Sequence, residues 1–167
     1  MGRKIKQAAA TVAYVDLGIS KGMRLGIERS LEIGRPIELR MLDRGKFLEI
    51  LRRICSGETA QNPDEWSRGN PLYGHCAVAT LLAQDVFGGR ILGVSLEGTE
   101  FASMRSHYFN LLPDQSEYDF TREQFGGRFP EGLTREERER QCLLSNTNTS
   151  VRYITLKDKF GFFVLDR

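Results

Sequence analysis

The stretch "NPLYGHCAVATLLAQDVFGG", residues 70–89, decides how the middle of the chain folds. From Cys76 to Phe87 it is apolar on nearly every side, and a helix that is hydrophobic all round is typically a buried one. Two glycines, Gly88 and Gly89, follow at a position where helices commonly end. The stretch therefore predicts a central buried helix that begins at Cys76.

The composition is that of a globular protein, with 40% hydrophobic and 28% charged residues in a chain of 167. That length is enough to bury a core without metal or disulfide staples. No apolar run approaches the ~20 residues that cross a bilayer, and the N-terminal apolar patch is too broken for an export signal. Three cysteines without CxxC spacing argue against a disulfide framework and a structural zinc site. We expect a cytoplasmic protein with no membrane partner.

Charge is unevenly distributed along the chain. Residues 1–55 hold twelve basic and six acidic side chains, whereas residues 56–167 hold twelve and sixteen. No run of adjacent basic residues with stacking aromatics appears, so we do not expect nucleic-acid binding and interpret the charges as solvated helix faces. We predict a basic N-terminal extension and helix over residues 1–57 and a core over residues 58–167, together forming one compact domain.

Periodicity predicts the other elements. A short strand is expected near residues 11–15, and helices near 22–33, 44–57 and 151–160. Strands are expected near residues 90–98, 104–112 and 117–120. Thr134 and Glu137 have capping-box spacing, which predicts a helix beginning there. Residues 56–74 form a long loop and residues 121–132 a loop or short helix. These elements predict an α/β (α+β) fold with a buried helix on a small antiparallel sheet and extra helices at both ends.

Three residues on successive elements could form a thiol-dependent catalytic triad. Cys76 stands at a helix N-terminus, where the helix dipole favours a thiolate. Alternation places His107 on one face of its strand, and antiparallel pairing of the next strand would put Asp119 beside it. A nucleophile, a base and an orienting carboxylate in this order have the roles of a catalytic triad. Each of the three has a plain structural interpretation as well, as a packed thiol, a satisfied strand histidine or a helix cap.

Other residues are candidates around this set. An oxyanion needs a donor, for which the backbone N–H of Cys76, the side-chain amide of Asn70, and the side chains of His75 and Gln124 are available. Trp66, Tyr73 and Phe109 are candidates to line a substrate cleft. A metal site of Cys76, His107, Asp119 and His75 is an open alternative, but it lacks the closely spaced ligands typical of metal sites. His75 is expected to be a rim or loop residue. No cofactor is expected.

The segments "GHCAVATLLAQDVFGGRIL", "SHYFNLL" and "YDFTREQF" resemble the YunG-like family of bacterial proteins. They are also similar to a minimal papain-like or transglutaminase-like cysteine fold, in which G-x-C opens the central helix and the histidine and acid lie on successive strands. The resemblance implies that Cys76 is the nucleophile, His107 the base and Asp119 the orienting residue. His75 stands where the family pattern has glutamine, and Phe109 where it has tryptophan.

These observations lead to two functional hypotheses and one further alternative. The first is a cysteine-dependent acyl-transfer enzyme acting on an amide or thioester of a peptide or small acyl compound. The second is a non-catalytic binding or toxin-associated module that retains the fold. A metal-binding protein is the further alternative.

Overall fold

The computed structural model describes residues 11–14, 21–40 and 42–165. The chain divides into two compact units, residues 1–46 with Arg167 and residues 47–166. The sequence-based division at residue 57 concerns domains and stays a prediction.

The first unit contains two parallel strands with a helix between them in the chain. Strand β1 (Thr11–Tyr14) pairs with β2 (Ile37–Arg40), and helix α1 (Lys21–Glu32) connects them. Ser30, which is buried in α1, lies with its hydroxyl oxygen 2.6 Å from that of Thr11 and 2.8 Å from the carbonyl oxygen of Gly26. The hydroxyl of Ser30 thus ties the helix to the first strand.

The second unit is built on a four-stranded antiparallel sheet. Its strands are β3 (Arg90–Ser95), β4 (Ser106–Leu111), β5 (Glu117–Tyr118) and β6 (Glu136–Arg138), in the order β5-β4-β3-β6. Gly89 precedes β3 with a φ of 83°, and a Cβ there would lie 2.2 Å from the carbonyl oxygen of Leu111. Only glycine fits where the chain enters the sheet this closely.

Helix α3 (Cys76–Phe87) is the centre of this unit. Nine of its twelve residues are buried, as its continuous apolar sequence requires. It packs against β3, β4 and helix α5 (Thr147–Leu165), which follows the short helix α4 (Arg140–Leu144). Helix α2 (Arg44–Ile54) contributes Phe47, whose ring contacts those of Phe87, Phe120 and Phe160. In the described part of the chain, no helix is both long enough and apolar enough to cross a membrane.

Within the described residues, which do not include the last residue of the strand expected over 11–15, the predicted helices and strands are confirmed except at two places, and β2 was not predicted. The helix expected from Thr134 is wrong, because residues 136–138 form the edge strand β6 and α4 begins only at Arg140. All three residues of β6 are exposed and charged, which is typical of an edge strand. The strand expected over residues 117–120 is shorter, since its ladder ends at Tyr118.

The long loop before α3 is confirmed and is internally organised. It contains two 3₁₀ helices, Gly57–Thr59 and Pro63–Glu65, and an isolated bridge between Ser67 and Asn70. The loop ends at Gly74, which has a φ of 73°. A Cβ on Gly74 would lie 3.0 Å from the backbone nitrogen of Gln61, so glycine is needed where the chain turns into the helix.

Candidate active site

Cys76 is the first residue of α3 and is only 3% exposed. The first N–H groups of a helix have no intrahelical acceptor and carry the positive end of the helix dipole. The thiol therefore lies where negative charge is stabilised, beneath the surface rather than on it.

His107 is held in one orientation by Asp119. Its Nε2 lies 2.7 Å from Oδ2 of Asp119, while the other carboxylate oxygen accepts hydrogen bonds from the backbone N–H and the hydroxyl of Thr121. An ionised carboxylate can only accept, so Nε2 carries the proton. The other side of the ring, which carries Nδ1, interacts with the thiol of Cys76.

The surroundings of His107 favour its protonated form. Burial lowers its pKa, but hydrogen bonds and charge interactions with Asp119 and Cys76 outweigh that effect and raise the pKa to about 9. The imidazole is fully buried and contacts the rings of Phe109, Phe125 and Phe129. A protonated imidazole beside a thiol stabilises the thiolate.

The strand register brings Asp119 near His107 less directly than the sequence suggests. β4 and β5 pair Asn110 with Tyr118 and Leu111 with Glu117. Continuing this register would set Asp119 opposite Phe109, two residues from His107. Asp119 lies just past the strand, and its side chain reaches His107 from there.

Gln124 links His107 to the turn before α3. Its Nε2 is 3.3 Å from Nδ1 of His107, and its Oε1 accepts a hydrogen bond from the backbone N–H of Gly74. Asn70 in turn donates from Nδ2 to the backbone carbonyl of Gln124 at 3.0 Å. Of the two side-chain amides among the predicted oxyanion donors, Gln124 therefore lies at the histidine, whereas that of Asn70 binds the backbone that carries Gln124.

The predicted cleft aromatics occupy different places. Phe109 stacks near His107 with the ring centroids 6.1 Å apart. Trp66 donates its indole N–H to the carbonyl of Pro71, and the hydroxyl of Tyr73 donates to Glu65. The latter two side chains thus hold the loop before α3 together, and a substrate-lining role for them stays a prediction.

The expectation that His75 lies at a rim is wrong, because its side chain is completely buried. Its Nδ1 donates to the carbonyl of Tyr73, and its Nε2 lies 2.9 Å from the hydroxyl of Thr59. Burial lowers its pKa to about 4. His75 is therefore a neutral structural residue at the N-cap of α3.

The three cysteines differ in environment. Cys55 is buried, and burial raises the pKa of its thiol far above the ordinary value. Cys142 is exposed. Among the described residues, Cys76 is the cysteine whose thiol faces a buried histidine–carboxylate pair.

Sequence reasoning missed Arg152, which is 6% exposed and interacts electrostatically with Cys76. Its Nη1 donates to the carbonyls of Thr59 and Gly74, each at 3.2 Å. A signal was present, because Arg152 occupies a position in the buried stripe of α5. The other buried members of that stripe are Thr149, Tyr153, Leu156 and Phe160.

Two cavities flank the site. The acid-side cavity, of about 410 Å³, includes Asp119, Phe109, Phe129 and the ion pair between Glu117 and Arg135 in its lining. The thiol-side cavity, of about 470 Å³, is lined by Ala77, Ser106, Tyr108, Leu143, Cys142 and Arg152 and by the amide and hydroxyl side chains of Gln61, Asn62, Asn146, Asn148 and Thr149. Over residues 11–14, 21–40 and 42–165, no three His, Cys, Asp or Glu side chains form a group that could hold a metal ion.

Comparison with known proteins places the chain in a family. No curated protein and no solved structure matches it. The family model described as YunG protein matches residues 43–161, which include α3, the whole four-stranded sheet, and Cys76, His107 and Asp119. The chain belongs to the YunG family.

Proposed function

We propose that this protein is a cysteine-dependent acyl-transfer enzyme that acts on an amide or thioester through Cys76, His107 and Asp119. The observation that carries the proposal is the position of His107, whose Nε2 binds Asp119 while its other side interacts with the Cys76 thiol. A nucleophile, a base and an orienting carboxylate in this sequence of contacts is the arrangement used for nucleophilic acyl transfer.

The chemistry follows from the protons that these groups can move. The Cys76 thiolate attacks the acyl carbonyl and forms a C–S bond, while the carbonyl electrons move to oxygen. The oxyanion collapses as the bond to the leaving amine or thiol breaks, and His107 gives that group its proton. Water or an acceptor amine then attacks the thioester, His107 takes the attacking group's proton, and the Cys76 thiolate leaves. Asp119 stabilises the imidazolium throughout.

The oxyanion requires donors on the thiol side of His107. The backbone N–H of Cys76 and the Nε2 amide of Gln124 are the two candidates that converge on this region. Gln124 is steadied from two directions, through Gly74 and through Asn70. Preorganised donors of this kind are worth about a hundredfold to a thousandfold in rate.

The papain-like or transglutaminase-like core is part of the same proposal. It is supported by a cysteine at the start of a buried helix, a histidine on the second following strand of the chain, and an acid just after the next strand. The antiparallel order β5-β4-β3-β6 on which α3 packs is compatible with such a core.

Competitive alkylation with iodoacetamide tests the proposal without a known substrate. We expect Cys76, at 3% exposure, to be alkylated at neutral pH faster than the exposed Cys142 and much faster than the buried Cys55, because the protonated His107 favours its thiolate. Peptide mass spectrometry measures all three rates in one sample. Faster labelling of Cys142 than of Cys76 would contradict the proposal and favour the non-catalytic module.

A further inference from the structure

The thiol-side cavity has the lining of a site for an anionic, hydrogen-bonding ligand. Its volume of about 470 Å³ lies within the range of small-molecule sites. Most of its lining side chains carry amides or hydroxyls, and the lining contains no carboxylate. Arg152 is its only charged member. The acid-side cavity differs, because Glu117, Asp119 and Glu131 contribute acidic groups to it.

The hydrogen-bond acceptors around the guanidinium of Arg152 are neutral oxygens rather than carboxylates. Nε donates to Oδ1 of Asn148 at 2.7 Å, and Nη1 donates to two backbone carbonyls. Nη2 has only Thr149 Oγ1 at 3.5 Å, the outer limit of a hydrogen bond. Among the described residues, no carboxylate forms an ion pair with the guanidinium, although Arg152 as a residue is only 6% exposed. A buried guanidinium without a carboxylate partner is costly, and an anionic ligand would reduce that cost.

The cavity is also adjacent to the nucleophile. Ala77, which follows Cys76 in α3, lines it, and Arg152 in the lining donates to the carbonyl of Gly74, two residues before Cys76. Burial lowers the pKa of Arg152, and the charge of Cys76 opposes that shift, so the two groups act on each other. The acid-side cavity instead lies at Asp119, on the side of His107 away from the thiol.

We propose that the thiol-side cavity binds the substrate through a carboxylate held by Arg152, so that the preferred acyl compounds are carboxylate-bearing ones such as acidic or C-terminal peptide fragments. This inference rests on the proposed function for the identity of the reacting thiol. Nη2 of Arg152 supplies the charged donor, and the surrounding amides supply neutral hydrogen bonds. The polar lining also argues against a long aliphatic acyl chain.

Matched alkylating reagents test this specificity. N-Iodoacetylglycine and N-iodoacetyl-β-alanine carry a carboxylate, and their N-methylamides carry none, while the reacting iodoacetyl group is the same in all four. In each reaction the Cys76 sulfur forms a bond to carbon and iodide leaves. We expect at least one carboxylate reagent to alkylate Cys76 about tenfold faster than its neutral partner, with saturation at high concentration. Glutathione, measured in parallel, corrects for intrinsic reactivity.

Variants of the lining residues test whether the preference for carboxylate reagents arises in the thiol-side cavity. Arg152→Gln should abolish the preference for the carboxylate reagent, and Arg152→Lys should retain part of it. Because Arg152 also binds Thr59 and Gly74, loss of fold in these variants is a risk. Gln61→Glu adds a negative charge to the lining without touching the bonds of Arg152, and it should reduce the preference severalfold. Gln115→Glu, at an exposed turn outside the cavity lining, is the control and should leave it unchanged.

The outcomes separate the two proposals. Equal rates for charged and neutral reagents in the wild-type protein, with His107→Gln slowing both, would overturn the carboxylate site and leave the acyl-transfer proposal standing. A preference that persists in both Gln61→Glu and Arg152→Gln would also overturn the site. Rates that do not respond to His107→Gln, combined with a preference that Arg152→Gln abolishes, would overturn the acyl-transfer proposal and support the carboxylate site.

Discussion

His75 and His107 are both completely buried, and their surroundings move their pKa values in opposite directions. Around His75 the partners are a backbone carbonyl and a hydroxyl, and burial lowers its pKa to about 4. The hydrogen bond to Tyr73 opposes that shift, and the charge of Arg152 adds to it. The ring stays neutral and connects Thr59 to the start of α3.

Burial also lowers the pKa of His107, but a carboxylate on one ring nitrogen and a thiol on the other side raise it to about 9. The comparison shows that burial alone keeps a histidine in its neutral form. The partners decide whether the ring can take up and release a proton. The histidine next to Cys76 in the sequence is therefore the structural one, and the histidine thirty-one residues later is the candidate base.

The largest expected effect separates the two histidines directly. His107→Gln should slow iodoacetamide labelling of Cys76 at neutral pH by about a hundredfold or more, because the thiolate loses its imidazolium partner. His75→Gln should change this rate less than about threefold, since His75 contacts Thr59 and Tyr73 instead. Peptide mass spectrometry measures both, with circular dichroism to check folding. A similar loss in both folded variants would remove the distinction between the two residues.

The pH dependence of stability gives the next largest effect. Unfolded His75 binds a proton near pH 6.5, whereas in the folded protein it does so only near pH 4. The contribution of His75 to the unfolding free energy is therefore fully present above pH 6.5. It is lost as the pH drops toward 4, by about 3 kcal/mol at most. Urea titrations across this range measure the unfolding free energy as a function of pH. His75→Gln should flatten the acid limb of this curve, which is the fall in stability below pH 6.5.

His107 makes the unfolding free energy fall at alkaline pH instead. Its folded pKa is raised, so its contribution to stability is fully present below pH 6.5 and is lost as the pH rises through about 9. His107→Gln should flatten the alkaline limb and leave the acid limb as it is. If the two variants instead changed the same limb, the opposite directions of the two pKa shifts would be wrong.

Asp119→Asn tests what distinguishes the environment of His107. The amide retains a hydrogen-bond acceptor but no charge, so the pKa of His107 should fall and Cys76 labelling should slow by about tenfold. Imidazole NMR titration measures the pKa, and mass spectrometry the labelling. Asp114→Asn, which removes an exposed carboxylate at the turn before β5, is the matched control. An unchanged His107 titration in Asp119→Asn would show that the carboxylate does not set its pKa.

The sequence predicts the parts of this site that depend on local pattern. A twelve-residue apolar run that ends in two glycines predicts a buried helix, so local pattern alone predicted the position of Cys76 at a helix start. Alternation along β4 placed His107 and Phe109 on one face, and both are buried. The short turn to β5 brought Asp119 close enough for its side chain to reach His107, even though the ladder ends one residue earlier.

The parts that failed depend on distant partners. Residues 136–138 form a strand because β3, more than forty residues earlier, offers an edge, and local capping spacing carries no information about that edge. Arg152 fits helical spacing within a buried stripe, but its acceptors at Thr59 and Gly74 are more than seventy residues away. His75 was misplaced at a rim because its partner Thr59 lies in an irregular loop whose path no periodicity reveals.

Thr59→Val has the smallest expected effect and tests the structural role of His75. The change removes a hydroxyl that lies 2.9 Å from Nε2 of His75 and also bonds the backbone of Ser56, and it leaves that buried nitrogen without this partner. We expect the free energy of unfolding to fall by about 1–2 kcal/mol, measured by urea denaturation, with Cys76 labelling unchanged. Thr155→Val removes a hydroxyl that donates to the Val151 carbonyl on α5 and should cost less than about 0.5 kcal/mol. If Thr59→Val slowed Cys76 labelling as His107→Gln does, the neutral ring of His75 would be controlling the reactivity of the neighbouring thiol. His75 and its hydroxyl partner would then belong to the reactive site.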